Sequence, residues 1–203
     1  HAIVRYGGGD WYESVYVATT NITLTNNAIA YSGEAGVRFD NALPASLTGN
    51  SFLNNVGLPA WVPLSNNGQS IVLSGNTASG NKVNGFVVAG NIGGNVVWDG
   101  DDGFPFLVWG DLAINQGARL TLTPRTVVKF YDYYNTLWVY GTLIASSDAA
   151  NPIVFTSIKD DAVGGDTDGK AASPGPNDWD SLRFMVGSTG SVLDHAIVRY
   201  GGG

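Results

Sequence analysis

The 203-residue chain contains no cysteine. A disulfide framework is therefore excluded, and stability has to come from apolar burial and backbone hydrogen bonds. Charge is also scarce: Asp, Glu, Lys and Arg make up 13% of the residues, about half the usual quarter. With 44% hydrophobic residues, the chain cannot belong to the highly charged, weakly hydrophobic class that stays disordered. The surface must instead be built from Asn, Thr, Ser and Gly. Basic residues number only 10 against 17 acidic ones, for a net charge of −7. Nucleic acid is thereby excluded as a partner, because phosphate binding needs clustered Lys and Arg. No apolar run is long enough to cross a bilayer, so membrane insertion is not expected. The first residue is His1 rather than Met, and no signal-peptide pattern follows it, so the natural N-terminus is expected to lie elsewhere.

Helix signals are missing as well. No window keeps apolar residues at i, i+3, i+4 and i+7 over three turns, and Gly, Asn and Thr interrupt every candidate. What is present is a series of short β-branched or alternating runs bounded by Gly, Asn, Pro or Asp, among them SVYVATT (14–20), QSIVLSG (69–75), TVVKFY (126–131) and PIVFTS (152–157). Many strands without helical crossovers exclude a doubly wound α/β fold. Internal similarity then favours a solenoid over an antiparallel sandwich. LTNNAIAYSGEAGVRF (24–39), LTGNSFLNNVGLPAWV (47–62) and LSGNTASGNKVNGFVV (73–88) align, and they place Asn27, Asn50 and Asn76 at equivalent points. Repeats in the low twenties with short strands and polar turns predict the coils of a parallel β-helix. Gly and Asn then serve as corner residues, because both accept positive φ, and a column of Asn can form an amide ladder.

One repeat is longer. HAIVRYGGG occurs at His1–Gly9 and again at His195–Gly203, an offset of 194 residues. The expected architecture is all-β: a right-handed parallel β-helix, uncapped at both ends, running through 1–203 as one continuous domain and representing one period of a tandem repeat. Roughly nine coils at about 4.8 Å rise would make the period on the order of 45 Å long. The strand-poor stretch 159–180, rich in Asp, Gly and Pro, is expected to leave the stack as a loop.

The succession RLTLTPRTVVKF, LWVYGTLIA, NPIVFTSIKDD, GGDTDG, NDWDSLRF and LDHAIVRYGGG resembles the parallel β-helix repeats of large secreted bacterial surface proteins, loosely within the pectate-lyase-like superfamily. The resemblance covers residues 107–203 well and the Asn-rich first half in general character. It implies a fold and an extracellular or cell-surface setting, and it implies no particular activity, since such repeats occur in adhesin-like proteins and beside enzymatic modules alike.

Four groups of residues are candidates for chemistry. Polysaccharide hydrolases of this fold use paired carboxylates, and Asp101-Asp102 and Asp160-Asp161 offer such pairs, but the accompanying Gly-His-Gly and Arg-Ile-Lys segments are absent. A lyase pattern would use Asp194-His195 with Arg199, residues that a plain strand explains equally well. The densest cluster is Asp160, Asp161, Asp166 and Asp168, with Asp178 and Asp180 further on, in a Gly-rich loop. There the Asp166-x-Asp168-Gly169 spacing suits calcium in a structural role, while a hydrated acidic loop capped by Asp is the plainer alternative. Finally Phe130, Tyr131, Tyr133, Tyr134, Trp138 and Tyr140 crowd eleven positions. Core stacking is the default for them, with Tyr131, Tyr133 or Tyr134 left to grip a sugar face or a neighbour.

The functional expectation is a structural one: a surface filament, stalk or adhesin shaft, with the question of an enzymatic activity left open. Its partners are further copies of the same period, joined covalently or docked end to end through His1, Ala2, Ile3, Val4, Arg5 and Tyr6 and their counterparts His195, Ala196, Ile197, Val198, Arg199 and Tyr200. On that reading Gly203 is followed by an equivalent of Asp10-Trp11-Tyr12. The alternative is a β-helix that binds or degrades carbohydrate.

Overall fold

The computed structural model describes residues 1–9, 12–19, 22–40, 46–64, 70–100 and 103–203. The Asp101-Asp102 pair and the Asp10-Trp11 segment lie outside them. The described residues form strands and turns and no helix. In the first turn β1 (Ile3–Arg5), β2 (Val15–Val17) and β3 (Leu24–Thr25) follow one another, and the second repeats them as β4 (Ala28–Ala30), β5 (Val37–Phe39) and β6 (Ser46–Thr48). The third turn holds β7 (Ser51–Leu53), β8 (Ala60–Leu64) and β9 (Ile71–Ser74), and the fourth β10 (Thr77–Ser79), β11 (Phe86–Ile92) and β12 (Asn95–Asp99). The fifth has only β13 (Phe106–Ile114) and β14 (Arg119–Leu122). After it come β15 (Val127–Phe130), β16 (Leu137–Val139) and β17 (Thr142–Ser146), then β18 (Ile153–Ser157), β19 (Leu182–Phe184) and β20 (Val192–Asp194), with β21 (Ala196–Val198) opening an eighth turn.

Every strand pairing is parallel and links one turn to the next. Three sheets result. One has four strands (β1, β4, β7, β10), one has ten, and one has seven, with one strand from each full turn. The fold is thus the expected all-β parallel β-helix, with seven turns among the described residues in place of the nine anticipated. The turns vary more in length than the sequence repeats suggested. They run from 20 residues, between Phe86 and Phe106, to 48, between Ser146 and Asp194, where residues 159–180 intervene without a strand. At the end of that segment Trp179 returns to the core, buried and stacked on Phe130 at 4.1 Å.

The core is a set of inward columns, because the side chains of one face repeat at every second residue and parallel register places like positions over one another. Ala60, Phe86, Phe106, Val128, Phe155 and Val198 form one such column. Leu24, Leu47 and Leu73 form another. Trp98 lies flat on Phe106, with centroids 4.5 Å apart, and fills the axis at mid-height.

The ten-stranded sheet forks at a bulge. Between β11 and β13 the register jumps from Val88↔Val108 to Gly90↔Leu112, so Trp109, Gly110 and Asp111 face a single residue, Ala89. Gly90 and Gly110 take φ of 95° and 98° there, which bends both strands onto two faces. One face continues through β15, β18 and β21, the other through β16 and β19. The four-stranded sheet ends at β10 at this height, and Phe104 stacks on Phe52 at 5.5 Å.

Corners are built as the sequence suggested. Asn26, Gly49, Gly75 and His195 all have positive φ, between 51° and 64°. A Cβ on Gly49 would stand 2.2 Å from Asn26 Oδ1, so the glycine makes room for the side chain of the turn before it. Beside it runs the expected amide ladder. Asn27 Nδ2 donates to Asn50 Oδ1 at 3.1 Å and Asn50 Nδ2 donates to Asn76 Oδ1 at 3.2 Å. A second ladder, from Ser32 through Asn55 to Asn81, binds the next corner. Asn50 is fully buried and also receives the backbone N–H of Asn27. Asn50→Ala therefore strands donors and acceptors on three turns and should cost about 3 kcal/mol in urea unfolding. Asn27→Ala, half-buried at the start of the ladder, should cost clearly less.

Candidate functional site

The acidic segment is divided by the fold rather than pooled. Asp161, Asp166 and Asp168 converge, with carboxylate oxygens within 4.8 Å of one another. Asp160 turns inward: it is buried, accepts the Thr156 hydroxyl at 2.6 Å and pairs with Arg199 Nε at 2.7 Å. The four expected ligands therefore contribute three carboxylates to one place, and the fourth ties the loop to the last turn. Asp178 is held by Lys159 at 2.6 Å. Its pKa lies below the ordinary value because burial, which would raise it, is outweighed by the bonds from Lys159 and the Gly175 N–H. Asp180 is lowered by the Thr136 hydroxyl, which outweighs its burial, and then by Arg183.

Two of the three converging carboxylates already cap turns: Asp166 accepts the N–H of Gly169 and Asp168 that of Lys170. A cation is also at hand. Lys129 on β15 is fully buried, and its ammonium donates to Gly165 O and Thr167 Oγ1, both at 2.7 Å. The donor type fits calcium. The trio still falls short of the six to eight oxygens that calcium takes, and a protein cation has Gly165 O. The lone Asp161 shift is upward, caused by desolvation and then by Asp166, as expected of carboxylates crowded on one side of a loop.

The other candidates separate. His195 Nδ1 rests 2.9 Å from Asp194, while Arg199 is engaged with Asp160, so the Asp-His-Arg trio does not converge on a common point. Asp160 and Asp161 face opposite environments and form no acid–base pair. Among the crowded aromatics only Phe130 is buried in the core. Tyr133 and Tyr134 are exposed against each other, and Trp138 stacks with Tyr140 under Arg183. Tyr131 stacks on Trp109 at 3.8 Å. Core stacking, the default in the sequence reading, holds for one ring of six.

The two copies of HAIVRYGGG stand at the two ends of the stack and fold alike. β1 and β21 lie within them, Tyr6 and Tyr200 follow with φ of 58° and 64°, and Gly8 and Gly202 are again positive. Each opens a turn. Their sheets differ: β1 belongs to the four-stranded sheet, β21 to the ten-stranded one. At both ends the strands pair on one side only, β1 with β4, β2 with β5 and β3 with β6, and β19 with β16, β20 with β17 and β21 with β18. Inward positions that are fully buried in the middle of the stack are open at the last turn. Phe184 above Val139, Leu193 above Ala145 and Val198 above Phe155 are 44%, 45% and 48% exposed. Val4, Val15 and Leu24 are the partly buried counterparts at the first turn. Sequence reading found the repeat and missed Phe184 and Leu193, whose placement depends on the pairing register.

Such parallel turns, laddered corners and a single axial core define a parallel β-helix repeat protein. Comparison agrees: residues 8–102, a little under half of the chain, match the family described as "right handed beta helix region". The match falls on the Asn-rich first half, whereas the resemblance read from the sequence was carried mainly by 107–203. The first half has the regular 23- and 26-residue spacing, and the second is interrupted by the bulge and the long loop. No curated protein and no solved structure matches the chain.

Burial lowers the Lys129 pKa from 10.5 to about 8, against the pull of Asp160, Asp161, Asp168 and Asp166. Between those two pH values the unfolded chain binds the extra proton, so stability rises with pH through this window and falls back as pH drops toward 8. Lys129→Met removes that dependence. Subtracting the urea-unfolding free energy of the variant from that of the native chain should give a difference that grows from pH 8 to pH 10 and is flat below pH 7.

Proposed function

We propose that the chain is one period of a structural β-solenoid, in which successive 194-residue periods continue a single stack and form a shaft, stalk or filament at the cell surface. The observation that carries this reading is the placement of Val198. It occupies, on top of the last complete turn, the place in the nonapeptide that Val4 occupies in the first, and it does so over an open core whose other members are Phe184 and Leu193. A next turn built like the first brings Val15 onto β19 and Leu24 onto β20. It then closes each core column with the residue type the column already has. Covering three half-exposed side chains contributes about 3 kcal/mol at the usual rate for apolar area. The extracellular setting is supported by the resemblance to secreted surface repeats and by a surface of Asn, Thr, Ser and Gly with little charge.

The fork in the ten-stranded sheet adds a geometric consequence. Since β21 lies in the ten-stranded sheet and its twin β1 in the four-stranded one, a following period continues the former with its own four-stranded sheet. Each period is then turned by one face of the solenoid relative to the last.

The reading is tested on a chain of two periods, residues 1–194 followed by 1–203. Small-angle scattering should show a rod longer than the single period by about 34 Å, seven turns at about 4.8 Å each. Thermal unfolding should be one transition at a higher temperature than for one period. Two flexibly joined bodies, each melting as the single period does, would refute continuation of the stack.

A further inference from the structure

Part of the 159–180 segment lies directly on the stack. Gly164 and Gly165 take φ of 67° and 68°, and a Cβ on Gly164 would stand 3.1 Å from Lys129 Cε. Glycine is needed there because the backbone passes over the lysine at close range. Thr167 follows and is fully buried, although Asp166 before it is exposed. The Lys129 ammonium, equally buried, donates to Thr167 Oγ1 and to Gly165 O, both at 2.7 Å. The Thr167 hydroxyl in turn donates to Gly165 O at 3.3 Å. Once the lysine loses its proton, its nitrogen can accept that of the hydroxyl instead. A hydroxyl beside an amine is the pairing from which a nucleophile and its base are made.

The carbonyl within reach of this hydroxyl is that of the preceding residue, since attack of Oγ1 on the Asp166 carbonyl carbon closes an oxazolidine ring. The oxygen of that carbonyl is held as well. Asn84 Nδ2 donates to Asp166 O at 3.2 Å, and the Asn84 backbone N–H donates to Thr167 O at 2.7 Å. The Asn84 amide is fixed in this sense because its Oδ1 accepts from Asn81 Nδ2 at 3.1 Å. The second amide ladder therefore ends in a donor aimed at the Asp166 oxygen. Nucleophile, base and oxyanion donor meet at a single peptide bond, which is the set of roles an acyl transfer needs.

We propose that the chain cleaves itself between Asp166 and Thr167 by an N-to-O acyl shift, with Thr167 as nucleophile, Lys129 as base and Asn84 as oxyanion donor. The Lys129 amine takes the hydroxyl proton as Oγ1 bonds to the Asp166 carbonyl carbon. The charge that develops on Asp166 O meets the Asn84 N–H. The C–N bond then breaks, and the Lys129 ammonium gives the proton to the departing Thr167 nitrogen. An ester now joins Asp166 to Thr167 Oγ1. Water hydrolyses it from the exposed side of Asp166, leaving a carboxylate on Asp166 and a free hydroxyl and amine on Thr167. Burial supplies the base: it lowers the Lys129 pKa to about 8 against the pull of Asp160, Asp161, Asp168 and Asp166, so the free amine is the main form above that pH. The cut divides the covalent chain and leaves the stack standing. β19, β20 and β21 lie beyond it and remain paired with β16, β17 and β18, and Trp179 remains on Phe130. All these groups lie within one period, so self-cleavage is independent of how periods join.

The purified single period is incubated for several days at about pH 9 and followed by denaturing electrophoresis and intact mass. Fragments 1–166 and 167–203 should appear at a rate independent of protein concentration and should still elute together in native gel filtration. Added hydroxylamine should intercept the ester and leave a hydroxamate on Asp166 in place of the carboxylate. Thr167→Ser should still cleave, whereas the nearly isosteric Thr167→Val should not. Asn84→Ala should slow the cut about 100-fold, and Lys129→Met about 100-fold or more. Because those two changes also remove loop contacts, the comparison of Thr167→Val with Thr167→Ser is decisive. An intact native chain, a cut at another bond, a cut as fast in the urea-unfolded chain, or one that survives in Thr167→Val or is lost in Thr167→Ser would overturn the assignment.

Discussion

The parallel hydrogen-bond ladder between successive turns governs everything else in this molecule. A strand of three residues has no stability of its own, and each strand inside a sheet is held by the one before it and the one after it. The spacing of about 4.8 Å that the ladder imposes fixes what can stack: Val over Phe, Leu over Leu, Asn over Asn. It also fixes where the structure is unsatisfied, namely at the faces of the first and last turns, where strands pair on one side and core side chains stand half uncovered.

The same ladder explains how chemistry reaches the surface. Corners are the places where extra residues can leave without disturbing register, and residues 159–180 leave in this way between β18 and β19. Lys129 then works from inside the stack, an outward-pointing residue of β15 whose ammonium holds the base of that loop through Gly165 and Thr167. The bulge in β13 has the opposite effect. It adds residues within a strand, and the register shift between Val88 and Gly90 sets Trp109 where the Tyr131 ring and the Lys82 ammonium both lie on it. One structural irregularity thus forks the sheet and seats this indole.

Much of this architecture was legible from residues alone. The alignment that equated Asn27, Asn50 and Asn76 identified a true ladder, since a buried amide column needs the same residue at the same height in each turn. The second ladder, through Asn55 and Asn81, was open to the same reading, because both lie five residues after the first in their repeats. Turn number was overestimated because Trp109-Gly110-Asp111 and the 159–180 segment lengthen turns without adding any. The candidate metal ligands were recognised by type, yet Asp160 was grouped with Asp161 although the turn after β18 buries the first on Thr156 and leaves the second exposed. The self-cleavage site was invisible: Asn84, Lys129 and Thr167 are separated in sequence and meet only in the fold. The clustered tyrosines near Tyr133 drew attention to a surface that is exposed.

The central claim is that the last turn is completed by a first turn. Amide hydrogen exchange measured on one period and on two joined periods tests it most directly. The amides of Leu182, Phe184, Leu193, Ala196 and Val198, which point away from the preceding turn, should exchange readily in the single period, and in the first of two periods they should be protected as strongly as those of β14 and β17. Unchanged, rapid exchange of these five amides in the two-period chain would contradict the account.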